Sequence, residues 1–366
     1  MMKKDQNPFL LSPFGAGCSA LSWETLDGKH LWGRNYDFDR LAEGSSIVYI
    51  PSGTDYLTCI SAVQEDAPEA HPCSRYACTG VGFLSIPSAP VLYEGINEKG
   101  LMGGQLYYRE LACFSEEEKP HTYRVQPPFA VYHALAQCSG VEEVIRLFQE
   151  EASLVSVPLM GTVPPLHWCF SDRSGETIIL EPDRGGLTVY RNTIGVMTNS
   201  PGYSWHRLNL LNYAGIRDRD YETVKICGDS LPPYFSGSGA QGLPGDWSSP
   251  SRFIRLAFLK QFSQKGRSEE EGVGRMFHLF QSVAFPLGMI RVTGQGHRTE
   301  YDRKISPFDY TVYTSILCAE SLRFYWTTYE NQQVQYMDLN HLLHHRRPLQ
   351  FDLNRRADFR CRSRHI

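Results

Sequence analysis

The sequence predicts an α+β protein in which helices pack against β-sheets. Strand patterns open the chain, helical patterns follow with strands between them, and strand patterns close it. The strands come in runs instead of alternating singly with helices, as a parallel βαβ fold would require. An aromatic content of 12% also suits a β-rich core.

Size and charge narrow the class of protein. The chain has 366 residues, of which 42% are hydrophobic and 21% charged, as in soluble globular proteins. No repeat or linker divides it, so we expect one main domain. A net charge of −4 gives no reason to expect a nucleic-acid partner. No apolar run is long enough to cross a bilayer, so we predict no membrane association.

Ten cysteines are scattered without a C-x-x-C pair, which indicates reduced thiols and a cytoplasmic protein. His341, His344 and His345 have ligand-like spacing, but no cysteine or carboxylate cluster accompanies them. Asp37 and Asp39 alone supply too few oxygen ligands for a cation. We therefore predict neither a metal nor a cofactor.

A glycine pattern at residues 237–242 matches the spacing of a dinucleotide-binding loop. That loop must lie directly between a strand and a helix. Pro232 and Pro233 precede the pattern here and Pro244 follows it, so we interpret it as an ordinary loop.

The first part of the chain is predicted to be mainly β-structure. Asp27-Gly28 is a turn signal that makes a hairpin of the first two strands. Gly103 and Gly104 mark a close approach of two backbones. The predicted strands are 18–25, 29–38, 46–51, segments within 80–94, and 101–108.

The second part contains the predicted helices. Ser139-x-x-Glu142 and Ser268-x-x-Glu271 match the capping-box pattern that starts a helix. The predicted helices are 128–138, 141–151, 204–213, 249–263 and 269–282. The predicted strands are 167–171, 176–180, 187–191, 193–198, 310–319, 322–329 and 333–339.

Cys18 carries the strongest chemical signal. It opens the first strand, and Arg34 and Asp37 return beside it on the second. Cleavage between Gly17 and Cys18 would give one residue both a thiol and an α-amino base, whose reference pKa values are about 8.5 and about 7.7–8. From spacing alone, Arg34 and Asp37 are equally a surface ion pair worth under ~1 kcal/mol.

Residues 1–17 are interpreted as a propeptide removed by self-cleavage, which we expect to obstruct the pocket until it leaves. Their apolar stretch is shorter than the roughly 7–15 residues of a secretory signal. Gly17 would allow the strained backbone that attack on its own carbonyl requires.

Several separated motifs occur together in one order. They are Cys18-Ser19 with residues 33–37, residues 97–103 with 106–108, residues 195–201 with Trp205-His206, and residues 242–246 with 251–253. In these the chain resembles the choloylglycine hydrolase family of N-terminal nucleophile hydrolases, and within it the penicillin V acylases. The resemblance implies a four-layer αββα sandwich and a homotetramer.

The resemblance also implies roles for individual residues. Cys18 would be the nucleophile, with Arg34 and Asp37 as its charge partners. The backbone N–H of Tyr107 and the side-chain N–H of Asn199 would form the oxyanion hole, where one donor is commonly worth ~3–4 kcal/mol. Arg252 would complete the polar cluster. Residues 18–340 would form the catalytic domain, and 341–366 a basic, solvated tail.

The implied activity is hydrolysis of linear, non-peptide amides, with a small-molecule N-acyl amide as substrate. Tyr36 and Tyr107 are the candidate substrate-binding residues, and Tyr107 favours a flat aromatic acyl group, as in penicillin V. Conjugated bile salts and N-acyl homoserine lactones stay open as substrates. An uncut binding protein without activity is the alternative from a different class.

Overall fold

Two large antiparallel β-sheets lie face to face in the part of the chain that the structure describes. This computed structural model describes residues 16–60, 71–86, 88–115, 122–292, 299–302, 304–361 and 363. Its strands, in chain order, are β1 (Ala16–Glu24), β2 (His30–Phe38), β3 (Ser46–Ile50), β4 (Cys78–Phe83), β5 (Val91–Asn97), β6 (Met102–Tyr107), β7 (Tyr123–Val125), β8 (Ala152–Leu154), β9 (Leu166–Ser171), β10 (Thr177–Asp183), β11 (Gly186–Tyr190), β12 (Val196–Met197), β13 (Val224–Ile226), β14 (Asp229–Leu231), β15 (Ile290–Arg291), β16 (Phe308–Cys318), β17 (Arg323–Thr328), β18 (Gln335–Asp338) and β19 (Leu349–Phe351).

The helices connect and cover these strands. They are α1 (Ala130–Gln137), α2 (Val141–Arg146), α3 (Tyr203–Asn209), α4 (Ser249–Phe262) and α5 (Glu269–Gln281). A π-helical turn over Leu147–Glu151 extends α2, and a 3₁₀ turn over Leu210–Tyr213 extends α3. Each of the five helices begins within about two residues of a predicted helix start. The prediction succeeds because their apolar residues recur at helical spacing.

The strand order defines the two sheets. The first runs β12-β1-β2-β16-β17-β18, with β15 paired to β16. The second runs β11-β10-β9-β6-β5-β4-β3-β19. Helices α1 and α2 pack on the second sheet through one apolar cluster, and α4 and α5 pack on the first through another. The layer order is therefore αββα, which confirms the predicted fold.

Gly104 lets the two sheets approach each other closely. A Cβ atom at this position would lie 2.7 Å from Cη2 of Trp32, which projects from β2 in the opposite sheet. Trp32 is fully buried, so its ring has no room to move away. At Gly103 a Cβ atom would lie 2.6 Å from the Cys169 carbonyl oxygen, so the close backbone approach predicted at Gly103-Gly104 is confirmed.

The two predicted capping boxes have different outcomes. Ser268 accepts a hydrogen bond from the backbone N–H of Glu271 and begins α5 as expected. At α2 the prediction is wrong, because Gly140 is the N-cap and no side chain caps the helix from that position. Asp172 from a distant turn instead accepts the N–H of Val141 at 2.7 Å. A long-range partner has taken the place of the local one.

The basic tail is not wholly a solvated extension. Strand β19 pairs with β3 at the edge of the second sheet. Leu342 and Leu353 are buried, and the Leu353 carbonyl accepts the Trp326 indole N–H at 2.9 Å. The tail contributes apolar side chains and a strand that its arginine content does not reveal. The pattern also missed the short strands β7, β8, β13 and β14 and overestimated β12, which spans only Val196–Met197.

Within the described residues, no helix combines the length and the apolar character that a membrane span needs.

Removing β19 should destabilise the protein. A chain ending at residue 345 loses the strand and leaves the Trp326 N–H without its acceptor, which costs ~1–3 kcal/mol for a buried donor. We expect urea to unfold this chain at clearly lower concentration than a control ending at residue 356, which keeps both. Equal unfolding midpoints would show that the tail adds no stability.

Candidate active site

The β1–β2 hairpin positions the candidate nucleophile. Its turn contains Gly28, whose φ of +77° is in the region that favours glycine. The resulting register pairs Cys18 with Tyr36 and Gly17 with Asp37. Cys18 is only 3% exposed, so its thiol lies inside the protein close to the charged residues of β2.

Arg34 contacts the sulfur directly. Its Nη2 donates to Cys18 Sγ at 3.0 Å, and the side chain is almost completely buried. Arg34 and Asp37 are therefore not the surface ion pair that spacing alone allowed. Burial raises the pKa of the Cys18 thiol, whereas the charge of Arg34 lowers it without reversing the shift. The thiol is thus protonated at neutral pH.

Asp37 has one oxygen with a hydrogen-bond partner and one without a partner among the residues that the structure describes. Oδ1 accepts the hydroxyl proton of Thr311. Oδ2 is buried and accepts no hydrogen bond from any residue that the structure describes. Burial raises the pKa of Asp37 to about 7, although Arg252, Thr311 and Arg34 act in the opposite direction. An unpaired buried carboxylate oxygen is costly unless a cation reaches it.

Asn199 and Arg252 bind the backbone of the nucleophile. The Cys18 N–H donates to Asn199 Oδ1 at 2.9 Å, and Arg252 Nη2 donates to the same oxygen at 2.7 Å. Arg252 Nη1 also donates to the Cys18 carbonyl. Asn199 Nδ2 donates to the carbonyl of Tyr107 at 2.8 Å. The structure thus brings together the predicted site residues, while their catalytic roles stay predictions.

Asn199 is itself held by residues for which the sequence suggested no role. Its backbone N–H donates to Ser249 Oγ at 2.9 Å, and its carbonyl accepts from His206 Nε2 at 2.9 Å. Burial lowers the pKa of His206 to about 4, so the ring is neutral and stacks on Phe253. His206 lies in the Trp205-His206 motif, but no local pattern in the sequence predicted its contact with Asn199.

Aromatic side chains surround the space beside the thiol. A cavity of about 170 Å³ contains Cys18, and a neighbouring one of about 190 Å³ shares seven of its lining residues. These shared residues are Tyr36, Phe38, Val91, Tyr93, Tyr107, Pro128 and Pro164. Both candidate substrate-binding tyrosines are among them. Larger clefts elsewhere on the surface do not include the thiol.

Most of the chain matches one family of enzymes. Residues 18–348 match the family described as linear amide C–N hydrolases, choloylglycine hydrolase family. The chain belongs to the choloylglycine hydrolase family. It is therefore an amidohydrolase that acts on linear amides. The match begins at Cys18 and extends into the region predicted to be a solvated tail.

Two curated bile salt hydrolases are similar to this chain over most of their length. The chain is 33% identical over 325 residues to the bile salt hydrolase/transferase of Clostridium perfringens, covering 88% of this chain and 92% of that protein. It is 30% identical over 326 residues to the bile salt hydrolase/transferase of Lactiplantibacillus plantarum, covering 88% and 93%.

Solved structures agree with the αββα fold. A variant of the conjugated bile acid hydrolase of Clostridium perfringens superposes with a TM-score of 0.80 at 31% identity, covering 94% of this chain and 99% of that one. The penicillin V acylase of Agrobacterium tumefaciens gives 0.65 at 18% identity, covering 88% and 86%, which shows a shared fold.

The reason for glycine at position 17 differs from the one predicted. Gly17 lies in the extended strand β1 and is not among the residues with positive φ, so a strained backbone does not explain it. A Cβ atom there would instead overlap the ring of Phe285. The expectation that the pre-sequence obstructs the pocket concerns residues 1–15, which lie outside the described residues.

Gly17→Ala should slow any self-cleavage at this bond by roughly tenfold or more. Overpacking costs ~1–3 kcal/mol, and ~1.4 kcal/mol is tenfold in rate. Intact mass followed over time after synthesis would measure the loss of residues 1–17. The double variant Gly17→Ala/Phe285→Ala restores the space and should recover the rate of Phe285→Ala alone. Cleavage of Gly17→Ala at the parent rate would contradict the steric explanation.

Proposed function

We propose that the chain cleaves itself between Gly17 and Cys18 and that the new N-terminal residue then hydrolyses N-acyl amides. The main support is the environment of the Cys18 nitrogen and sulfur. The N–H already donates to Asn199 Oδ1, and the sulfur lies beside Arg34. Asp37 belongs to the same buried group, and one of its oxygens has no hydrogen-bond partner among the described residues. A newly formed α-ammonium group would supply the cation that this oxygen lacks.

The reaction we propose has two stages. The α-amino group takes the thiol proton, and the thiolate attacks the substrate carbonyl to form a tetrahedral intermediate. The C–N bond then breaks as the α-ammonium returns the proton to the leaving amine, which leaves a thioester on Cys18. Water, deprotonated by the same amino group, then attacks the thioester carbonyl. The C–S bond breaks, the carboxylic acid leaves, and the α-ammonium returns the proton to the sulfur, which regenerates the thiol.

In this proposal the oxyanion is bound by Asn199 Nδ2–H and the Tyr107 backbone N–H. Asn199 Nδ2 donates one of its two hydrogens to the Tyr107 carbonyl, which leaves the other for the oxyanion. Its amide plane is held through Oδ1, which accepts hydrogen bonds from both the Cys18 N–H and Arg252. Arg252 acts as a positioning residue for that amide.

For the substrate, we propose an amide with a flat aromatic acyl group, such as the phenoxyacetyl group of penicillin V. Two small cavities lined by Tyr36, Phe38, Tyr93 and Tyr107 suit stacking of one ring. Conjugated bile salts are the second candidate, because relatives of 30% and 33% identity are named bile salt hydrolase/transferase. The cleaved bond is the same in both cases, and only the acyl group differs.

Two measurements test this proposal. Cys18→Ala should keep residues 1–17 by intact mass and lose turnover, whereas Cys73→Ala, which changes an exposed thiol, should match the parent.

Initial rates on phenoxymethylpenicillin, glycocholate, taurocholate and an N-acyl homoserine lactone identify the substrate class. We expect Tyr107→Asn to reduce phenoxymethylpenicillin turnover about tenfold relative to glycocholate, since stacking area is lost. Turnover by Cys18→Ala would refute the mechanism.

We also propose a homotetramer. The segment from α3 to residue 235 carries exposed apolar side chains, among them Leu208, Leu211, Tyr234 and Phe235, which are 63–81% exposed. Exposed apolar surface of this kind marks protein–protein contacts.

The exposed thiols of Cys73, Cys113 and Cys227 form no disulfide, which supports a cytoplasmic location.

Analytical ultracentrifugation would test the assembly. We expect a tetramer of the parent chain, and dissociation when Leu211→Glu and Tyr234→Glu are combined, because both carboxylates would be buried without partners. Leu26→Glu is the matched control, since Leu26 is 68% exposed at the β1–β2 turn. A monomeric parent, or a double variant that remains tetrameric, would exclude this surface.

A further inference from the structure

Glu94 is a fully buried carboxylate that contacts the guanidinium of Arg34. It lies on β5 in the second sheet, with no exposed surface. Oε2 is 3.2 Å from Arg34 Nη1 and accepts the Tyr313 hydroxyl at 3.0 Å. Oε1 accepts the Ser315 hydroxyl at 3.3 Å. No pattern in the sequence singled out this residue.

Arg34 therefore stands between two groups that carry negative charge when ionised. Nη2 donates to Cys18 Sγ, while Nη1 faces Glu94 and donates to the carbonyls of Gln105 at 2.7 Å and Tyr93 at 3.1 Å. The carbonyls fix the direction of the guanidinium. Glu94 is the ionisable acid beside Nη1.

We propose that Glu94 is a positioning residue that holds Arg34 against the nucleophile and balances part of its charge. The inference rests on the proposed function, because it matters only if Cys18 is the nucleophile. Glu94 keeps the sulfur from losing its proton too readily, so that the α-amino group of Cys18 removes it when substrate is bound. The resulting thiolate is more basic than one facing an uncompensated arginine.

The physical reason is the balance between thiolate population and reactivity. A nearby cation lowers the pKa of a thiol. The nucleophilicity of the thiolate falls as its pKa falls, with a Brønsted slope of roughly 0.4–0.5. An arginine without a counter-charge would therefore give more thiolate of lower reactivity. Burial raises the pKa of Glu94 while Arg34, Tyr313 and Ser315 oppose the shift, which couples this carboxyl to the charge of Arg34.

Other titratable or charged side chains also face the thiol or Glu94, and the substitution Glu94→Gln leaves them unchanged. They are Arg34, Tyr36 and Asp37 on β2, Tyr93 on β5, Tyr107 on β6, Arg252 on α4 and Tyr313 on β16.

Glu94→Gln tests the proposal, because the amide keeps the size and one acceptor but removes the charge. In the processed protein, the rate of Cys18 alkylation by iodoacetamide is measured against pH by mass spectrometry of the N-terminal peptide. We expect the apparent pKa of the thiol to fall by about 0.5–1 unit, which means roughly 2–4-fold faster alkylation below that pKa once the lower nucleophilicity of the thiolate is included. Above that pKa only the nucleophilicity changes, so we expect kcat there to fall by roughly 1.5–3-fold with KM nearly unchanged.

Glu269→Gln is the matched control. Glu269 is also a buried carboxyl that accepts a tyrosine and a serine hydroxyl, from Tyr325 and Ser321, but it does not bond to Arg34. Its variant should leave the alkylation profile in place. An equal shift in Glu269→Gln, or an unchanged profile in Glu94→Gln, would overturn the proposal.

If Glu94→Gln does not fold, Tyr313→Phe decides the question. It keeps the ring that stacks on Tyr36 and removes the hydroxyl that stabilises ionised Glu94. The thiol pKa should fall in the same direction by a smaller amount, and no fall would refute the role of Glu94. Turnover by Cys18→Ala would instead refute the proposed function, so the two failures are distinguishable.

Discussion

The contact between the Arg34 guanidinium and the Cys18 sulfur is the interaction around which the site is arranged. A charge buried this deeply is stable only where hydrogen-bond acceptors surround it. The acceptors come from both sheets: Cys18 from the first, and Glu94 with the Tyr93 and Gln105 carbonyls from the second. The two sheets can therefore supply this site only when packed closely, which Gly104 allows at the neighbouring Trp32 contact.

The uncut chain contains a site that is assembled but electrostatically incomplete. Its thiol is neutral because burial outweighs the effect of Arg34. Asp37 carries one oxygen without a partner among the described residues. Under our proposal, cleavage adds the missing cation and base at one atom without a change of fold. The nitrogen already has one hydrogen-bond acceptor in Asn199 Oδ1, so little rearrangement would be needed.

The reaction and the substrate depend on different parts of the structure. The polar cluster of Cys18, Arg34, Asp37, Asn199 and Arg252 lies in the buried core of the sandwich, where family members share a fold. The cavity beside it is lined by residues from several strands and connecting segments. The same fold occurs in enzymes named for bile acids and for penicillin V.

Local sequence patterns were sufficient for the helices, most strands and the β1–β2 hairpin. Apolar spacing and turn residues determine these elements, and the hairpin alone brings Arg34 and Asp37 next to Cys18. The resemblance supplied Tyr107, Asn199 and Arg252, which lie far from Cys18 in the sequence. Neither the local patterns nor the resemblance indicated that His206 and Ser249 hold Asn199 in place. Contacts between distant segments leave no periodic signal in the sequence.

Tertiary packing decided the remaining features. A Cβ atom at Gly17 would overlap the ring of Phe285, while the backbone angle of Gly17 is not in the region that favours glycine. Asp172 caps α2 in place of Ser139. The arginine-rich tail adds β19 because β3 presents an open sheet edge. The sequence by itself predicted the candidate nucleophile and its neighbours on the hairpin, since those contacts are local. Only the packing of the two sheets determined which buried groups balance the charge beside it.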